Sequence, residues 1–274
     1  MGRGIAQVAA SFGNTVTLVD VNEKSLEKAQ IEISKSLERV AVKRCSNQEQ
    51  AQNFILKTTQ CINYTTNPEK ELGQSDFIIE AIFEDLKTKQ DLFSQIEEKL
   101  KPGTVMVSNT SSISILEIGK HLKKKNLFAG LHFFNPVPIM KLVEVIATKE
   151  TDGAVIEKLK QFVISLDKIP VVCKDTPGFI VNKLLIPYLI QAVQLYESGT
   201  ASKEDIDTAV KLGLGYPMGP FELLDYVGLD TTKDIVNSWN DPSIRLPKVL
   251  DELVRERKLG VKTGHGFYDY PKSK

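Results

Sequence analysis

Short, almost wholly apolar runs alternate with stretches of helical spacing over the first two thirds of the chain. Residues 76–83 are typical of a strand covered on both faces, and residues 87–100 have the apolar repeat of a helix. A second buried strand is predicted at 105–107. The alternation continues with strands predicted at 128–134, 142–146 and 170–172 and a helix at 155–166. This order predicts a doubly wound, mostly parallel sheet.

Two charged helical patterns interrupt the alternation, at residues 23–44 and 48–57, and predict a solvated helical hairpin. After residue 174 only helical spacing remains, with helices predicted at 179–197, 203–212, 220–239 and 247–257. Pro177 and Gly178 form a natural joint, because proline fixes φ and glycine absorbs an unusual turn. We therefore predict an α/β domain over residues 1–174 and an all-α domain over residues 175–274.

The first helix of the predicted all-α domain carries a strongly apolar stripe. It comprises Ile180, Leu184, Leu185, Tyr188 and Leu189. This is more apolar surface than one small helical domain needs for its own core. Part of the stripe is therefore predicted to form a dimer interface.

Composition and charge narrow the possible partners. The 274 residues carry 35 basic and 35 acidic side chains, so no net charge favours nucleic acid or a membrane surface. No apolar run reaches membrane-spanning length, and the first residues show neither a secretory apolar region nor an Arg-rich leader. Three scattered cysteines predict a reducing compartment without disulfide bonds. No cluster of His, Cys, Asp or Glu has the spacing of metal ligands.

The first twenty residues suggest a nucleotide cofactor. Gly2 and Gly4 lead into a helical stretch, and residues 15–20 read as a strand ending in Asp20. This is the order of the second half of a dinucleotide-binding βαβ unit, whose opening strand and first glycines are not in the sequence. An acid in this position binds an adenosine ribose and favours NAD over NADP. A second interpretation, in which Asp20 caps the next helix, stays open.

His132 is the most informative of the three histidines, since it ends an apolar strand where ligands gather in doubly wound sheets. Glu144 follows twelve residues later, alone in another apolar run. A His–Glu pair would fix the imidazole tautomer and stabilise imidazolium during proton transfer. The residues alone favour a second interpretation, a hydrogen-bonded structural histidine and a glutamate that faces water, because most buried polar groups simply find partners.

Ser111 and Ser112 lie in a polar loop after a predicted buried strand. A hydroxyl group there can donate to a substrate oxygen or cap the helix that starts near Ile113. An acyl-transfer triad of Ser, His and Glu is disfavoured, because the serine is not in a G-x-S-x-G elbow.

Four longer motifs resemble, in order, those of the L-3-hydroxyacyl-CoA dehydrogenases. They are SNTSS at 108–112, GLHFFNP at 130–136, DTPGFIVN at 175–182 and GYPMGP at 215–220. The similarity covers essentially the whole chain and is greatest to the monofunctional type of mitochondrial β-oxidation. It implies a Rossmann-type NAD-binding domain without its first strand, then a helical domain, in a homodimer of the mitochondrial matrix.

The resemblance also implies an activity and residue roles. The activity is oxidation of the 3-hydroxyl group of an L-3-hydroxyacyl-CoA to a ketone, with hydride transfer to NAD+. His132 is implied as the base and Glu144 as its orienting partner, while Ser111 and Asn182 contact the reacting oxygen from opposite domains. Positions that match NAD contacts are Gly2, Asp20, Glu84, Lys89, Ser111 and Asn135, and those that match CoA contacts are Ser36 and Lys43.

A second class of function stays open on the sequence alone. Gly2 matches only the last glycine of the family's phosphate-binding loop, which is compatible with a catalytically silent relative that serves a structural or acyl-CoA-binding role. One peripheral departure is His265, which stands where the family's closing Gly-rich turn has an acid.

Overall fold

The computed structural model describes residues 1–239 and 241–271. The chain divides into two compact units, Met1–Thr176 and Pro177–Lys274. The second unit begins at Pro177, the first of the two residues that are predicted from the sequence to form a joint.

The first unit alternates strands and helices. Its strands are β1 (Val16–Val19), β2 (Ile62–Thr65), β3 (Phe77–Glu80), β4 (Val105–Ser108), β5 (Phe128–Phe133), β6 (Leu142–Ala147) and β7 (Ile169–Lys174). Its α-helices are α1 (Gly2–Ser11), α2 (Glu23–Arg44), α3 (Gln48–Gln60), α4 (Glu69–Leu72), α5 (Leu86–Ile96), α6 (Ile115–Ile118) and α7 (Gly153–Ser165). Short 3₁₀ turns lie at Glu97–Lys99 and Lys125–Leu127.

The strands form two sheets. β1 pairs with β2 in parallel, and the other five strands form a sheet in the order β3-β4-β5-β6-β7. Every pair in the larger sheet is parallel except β5 and β6, which run antiparallel. This Rossmann-like arrangement confirms the predicted fold class.

Burial explains why the central strands read as continuous apolar runs. Every residue of β4 and β5 is buried, as expected for strands covered on both faces. Helices α1 and α7 cover one face, where Ile5 and Leu159 join one core cluster with Val107 and Leu131. Helices α5 and α6 cover the other face, where Phe93 packs on Phe128 and Ile115 lies against Gly130. The carboxyl ends of β3, β4 and β5 are therefore held in place by a packed core.

The charged hairpin is formed by α2 and α3. Each helix begins at an asparagine whose side chain accepts a backbone N–H of the first turn, Asn22 for α2 and Asn47 for α3. Asp20 accepts a hydrogen bond from the backbone N–H of Asn22. The interpretation of Asp20 as the cap of this helix is thus wrong, because Asn22 occupies that position.

The second unit is helical. It contains α8 (Val181–Glu197), α9 (Lys203–Leu214), α10 (Pro220–Val227), α11 (Leu229–Trp239) and α12 (Lys248–Arg255), with a 3₁₀ turn at Val261–Thr263. The prediction of a single helix over residues 220–239 is wrong. Gly228 separates α10 from α11 with a φ of 102°, a conformation that a helix cannot contain and that glycine adopts readily.

Part of the apolar stripe on α8 is buried in the core of the second unit. Leu189 is fully buried in this core, and Leu185 and Tyr188 pack against it, whereas the side chain of Leu184 is exposed. Two buried carboxylates organise the polar connections around the core. Asp207 accepts backbone N–H groups at the start of α10, and Asp225 accepts those of residues 267 and 268.

Candidate active site

The antiparallel pairing of β5 and β6 places His132 directly opposite Glu144. Both side chains are buried, and Nδ1 of His132 lies 2.8 Å from Oε2 of Glu144. A carboxylate is an acceptor, so this contact fixes the proton of the neutral imidazole on Nδ1 and leaves Nε2 as the acceptor nitrogen. The register of two strands therefore sets the tautomer of His132.

Ser111 lies on the Nε2 side of the same ring. Its Oγ is 3.2 Å from Nε2 of His132, and it belongs to the loop that leaves the carboxyl end of β4. The structure thus brings together three of the predicted catalytic residues in one line, Ser111, His132 and Glu144. The ring of Phe134 packs on the imidazole with a centroid distance of 4.5 Å.

Glu84 holds the loop that carries Ser111. Its Oε1 accepts the hydroxyl group of Thr110 at 2.5 Å and the backbone N–H of Ser111 at 3.0 Å. Burial alone would raise the pKa of Glu84, but the Thr110 hydrogen bond and the nearby charge of Lys89 outweigh it and lower the pKa. The carboxylate is therefore ionised at neutral pH and fixes the loop.

The interpretation of Ser111 and Ser112 as helix caps is wrong. The cap of α6 is Ser114, whose hydroxyl oxygen accepts the backbone N–H of Glu117. Asp175 reinforces it by accepting the Ser114 hydroxyl group at 2.7 Å and two backbone N–H groups of α6. The hydroxyl group of Ser111 instead contacts His132.

Lys89 and Glu80 form a buried ion pair beneath this loop. Their side chains are 1% and 0% exposed, and Lys89 Nζ lies 2.7 Å from Glu80 Oε1 and 3.2 Å from Glu84 Oε2. Glu80 also accepts the hydroxyl group of Ser108 at 2.5 Å. Sequence reasoning missed Glu80, although a lone carboxylate in an apolar strand is the same signal that pointed to Glu144.

The other predicted cofactor positions occupy the neighbouring strand and helix ends. Gly2 is the first residue of α1, whose N-cap residue, Met1, has no side-chain acceptor. Asp20 directly follows β1. Asn135 follows β5 and lines a cavity of about 280 Å³ in the first unit.

This cavity is bounded by α1, α2 and the turn after β5. Its lining residues are Met1, Arg3, Gly4, Gln7, Glu32, Ile33, Lys35, Ser36, Arg39, Asn135, Pro136, Val137 and Pro138. Arg3, Lys35 and Arg39 make it predominantly cationic, and Arg3 pairs with Glu32 at 2.6 Å. Of the two predicted CoA positions, Ser36 lines this cavity and Lys43 lies further along α2.

Asn182 is the second residue of α8, in the second unit. His265, in the closing turn of that unit, lies 2.8 Å from Asp269 Oδ1 through its Nδ1. No helix within residues 1–239 and 241–271 is long and apolar enough to cross a membrane. The same residues contain no group of three or more His, Cys, Asp or Glu side chains that could hold a metal ion.

Two family models match nearly the whole chain. The model for the NAD-binding domain of 3-hydroxyacyl-CoA dehydrogenase matches residues 1–176, and the model for the C-terminal domain of the same enzyme matches residues 178–270. The Rossmann-like sheet and these matches define an NAD-dependent oxidoreductase. The chain belongs to the 3-hydroxyacyl-CoA dehydrogenase family, which confirms the resemblance of its motifs.

Individual relatives are similar to the chain over both units. The human mitochondrial hydroxyacyl-coenzyme A dehydrogenase is 52% identical over 98% of this chain and 88% of its own length. The 3-hydroxybutyryl-CoA dehydrogenase of Clostridioides difficile is 38% identical over 99% of this chain and 96% of its own length. The crystal structure of (S)-3-hydroxybutyryl-CoA dehydrogenase from Ralstonia eutropha superposes with a TM-score of 0.93 at 34% identity, covering 99% of this chain and 96% of that one.

Proposed function

We propose that this protein oxidises the 3-hydroxyl group of an L-3-hydroxyacyl-CoA to a ketone, with NAD+ as hydride acceptor, in fatty-acid β-oxidation. The observation that carries the proposal is the line of contacts from Glu144 through His132 to Ser111. An alcohol can be oxidised by hydride transfer only if its hydroxyl proton is also removed. A buried imidazole with a fixed tautomer is suited to remove it.

His132 is the general base in this proposal. Its Nε2 takes the proton of the substrate's 3-hydroxyl group, and the carboxylate of Glu144 stabilises the imidazolium that forms. NAD+, when bound, supplies the acceptor for the hydride that leaves C3. Proton and hydride together account for the two hydrogens lost when an alcohol becomes a ketone.

Ser111 and Asn182 are assigned to the oxygen that loses its proton. Ser111 is supported by the 3.2 Å distance between its Oγ and Nε2 of His132, which lets one oxygen contact both groups. Asn182 is supported by its motif, residues 175–182, at the start of α8. A hydroxyl group and an amide can donate hydrogen bonds to the developing ketone oxygen.

Several groups of the first unit are suited to contact an NAD molecule. The first turn of α1 presents backbone N–H groups to which Met1 offers no side-chain acceptor, and such a turn suits a pyrophosphate. Asp20 follows β1, where a carboxylate can accept hydrogen bonds from a ribose diol. Gly2, Glu84, Lys89, Ser111 and Asn135 complete the proposed NAD contacts.

Ser36 and Lys43 are assigned to the CoA portion of the substrate. They lie seven residues apart on α2, a spacing that places them on one face of the helix. Lys35 and Arg39 lie beside Ser36 in the cationic cavity. Positive charge in this region suits the phosphates of CoA.

Steady-state kinetics of His132→Gln test the proposed reaction, with 3-hydroxybutyryl-CoA and NAD+ as substrates. General-base catalysis contributes about 10²- to 10⁴-fold, so we expect kcat to fall at least about 100-fold while the Kd for NADH stays within about twofold. His121→Gln is the matched control, because His121 is exposed and should leave kcat unchanged. A His132→Gln enzyme with near-normal kcat would contradict the assignment.

Location and assembly follow from the same proposal. We infer that the protein works in the mitochondrial matrix, which is supported by the mitochondrial relative that is 52% identical. We further infer a homodimer formed through the helical unit. The exposed Leu184 on α8 and Leu212 on α9 support this inference.

A further inference from the structure

Lys168 is a buried lysine in the turn between α7 and β7. The residue is only 6% exposed, and its Nζ donates hydrogen bonds to the carbonyl oxygens of Val137 and Met140, both at 2.6 Å. A buried ammonium group is costly unless it is hydrogen-bonded, so both carbonyl contacts matter to the local structure. Burial is also the main reason why the pKa of Lys168 is lowered.

The two carbonyl groups belong to the turn after β5 that forms one wall of the cationic cavity. Val137 is 2% exposed, and a Cβ atom built on Gly4 would lie 3.1 Å from Val137 Cβ. The wall therefore packs directly on the first turn of α1. Any outward movement of this turn would open the space between α1 and residues 135–138.

We propose that Lys168 is a positioning residue for NAD binding, which holds the turn at residues 136–140 against the start of α1. This inference rests on the proposed use of NAD. The ammonium group fixes the Val137 carbonyl from one side while Gly4 receives the Val137 side chain on the other. Asn135, a proposed NAD contact, lies at the beginning of the same wall.

The hydrogen bonds from Lys168 to Val137 and Met140 are independent of the catalytic pair. His132 and Glu144 are held by the pairing of β5 with β6, which continues on both sides of them. Loss of the Lys168 contacts should therefore loosen the cavity wall and leave the register of the two strands intact. The expected signature is weaker cofactor binding with little change in kcat at saturating NAD+.

NADH titration without substrate, followed by protein or NADH fluorescence, tests this proposal on the full chain. For Lys168→Met we expect the Kd for NADH to rise about tenfold, because two hydrogen bonds from a charged donor are lost. Lys168→Arg keeps charged donors and should stay within about threefold of the wild type. Lys141→Met is the matched control, since exposed Lys141 contacts Asp167 in the same region and should bind NADH normally.

Kinetics separate a positioning role from a purely structural one. For Lys168→Met we expect the KM for NAD+ to rise with the Kd while kcat at saturation stays within about twofold. The KM for 3-hydroxybutyryl-CoA should rise as well, because the same wall borders the cavity assigned to CoA. If Lys168→Met does not fold, Lys168→Gln, which is neutral and polar, carries the same expectation. An unchanged NADH Kd in the folded variant, or a rise in the acyl-CoA KM alone, would overturn the proposal. A wild type that binds NADH without oxidising the acyl-CoA would refute the proposed activity and leave this binding test valid.

Discussion

At the scale of single residues, Glu144 has the most specific task. It accepts a hydrogen bond from Nδ1 of His132 and is itself 0% exposed. The tautomer of His132 depends on this acceptor. Glutamine has the shape of glutamate, but its amide presents either an NH₂ donor or a weaker acceptor to Nδ1. Glu144→Gln therefore tests the tautomer of His132 more directly than a truncation of the side chain does.

We predict that Glu144→Gln lowers kcat by at least about 100-fold, since the wrong tautomer of a catalytic histidine is known to be that costly. The Kd for NADH should stay near the wild-type value, because Glu144 makes no proposed cofactor contact. Stopped-flow measurement of NADH formation checks the rate. Glu157→Gln, at an exposed glutamate on α7, provides the control. Equal rates for the two variants would remove Glu144 from the proposed mechanism.

The sequence predicted some residues of the candidate site and missed others for a physical reason. His132 and Glu144 were recognisable because polar groups in apolar strands require partners. Glu80 carried the same signal and was overlooked. Lys168 carried none, because its acceptors are backbone carbonyl groups some 30 positions earlier in the chain, which no side-chain pattern records.

At the scale of elements, periodicity identified the long helices and the buried strands and failed where one residue breaks a pattern. β2 was missed because the apolar–polar alternation of INYT extends over only four residues, too few to indicate a strand without its pairing with β1. The helix predicted over 220–239 was divided by Gly228. The apolar repeat continues on both sides of that glycine, so the break is visible only in the backbone conformation.

We predict that Gly228→Ala lowers the free energy of unfolding by about 1–2 kcal/mol, because an L-residue with a φ of 102° is strained. A Cβ atom at this position would also lie 3.0 Å from Asp230 Oδ1 and Lys262 Nζ. Gly213→Ala is the opposite control. Gly213 lies within α9, and beyond its chain neighbours and its own helix backbone no atom lies within 4 Å of its Cβ position, so alanine should stabilise the protein by about 0.4–1 kcal/mol. Urea denaturation of both variants measures the difference, and a neutral Gly228→Ala would show that the break tolerates a side chain.

At the scale of the whole molecule, the balance of charge and exposed apolar surface bears on assembly. The formal net charge is zero, so no overall repulsion opposes the approach of two copies. The core of the helical unit leaves Leu184 and Leu212 with exposed fractions of 71% and 83%. Leucine side chains this exposed, on two helices of one unit, are expected where a second molecule covers them.

We predict that the wild type has a solution mass of about 61 kDa, twice the 30.5 kDa of one chain. Substitution of Leu184 or Leu212 by glutamate would place a charge in the interface of the proposed dimer, which should shift the protein toward the monomer because a buried unpaired charge is costly. Light scattering coupled to size exclusion, over a range of protein concentrations, measures the shift. Ile164→Glu is the control, because Ile164 is an exposed apolar residue on α7 of the other unit and should leave the mass unchanged. A wild type at 30.5 kDa across the concentration range would contradict the homodimer. A dimer that neither leucine variant disturbs would exclude these side chains from its interface.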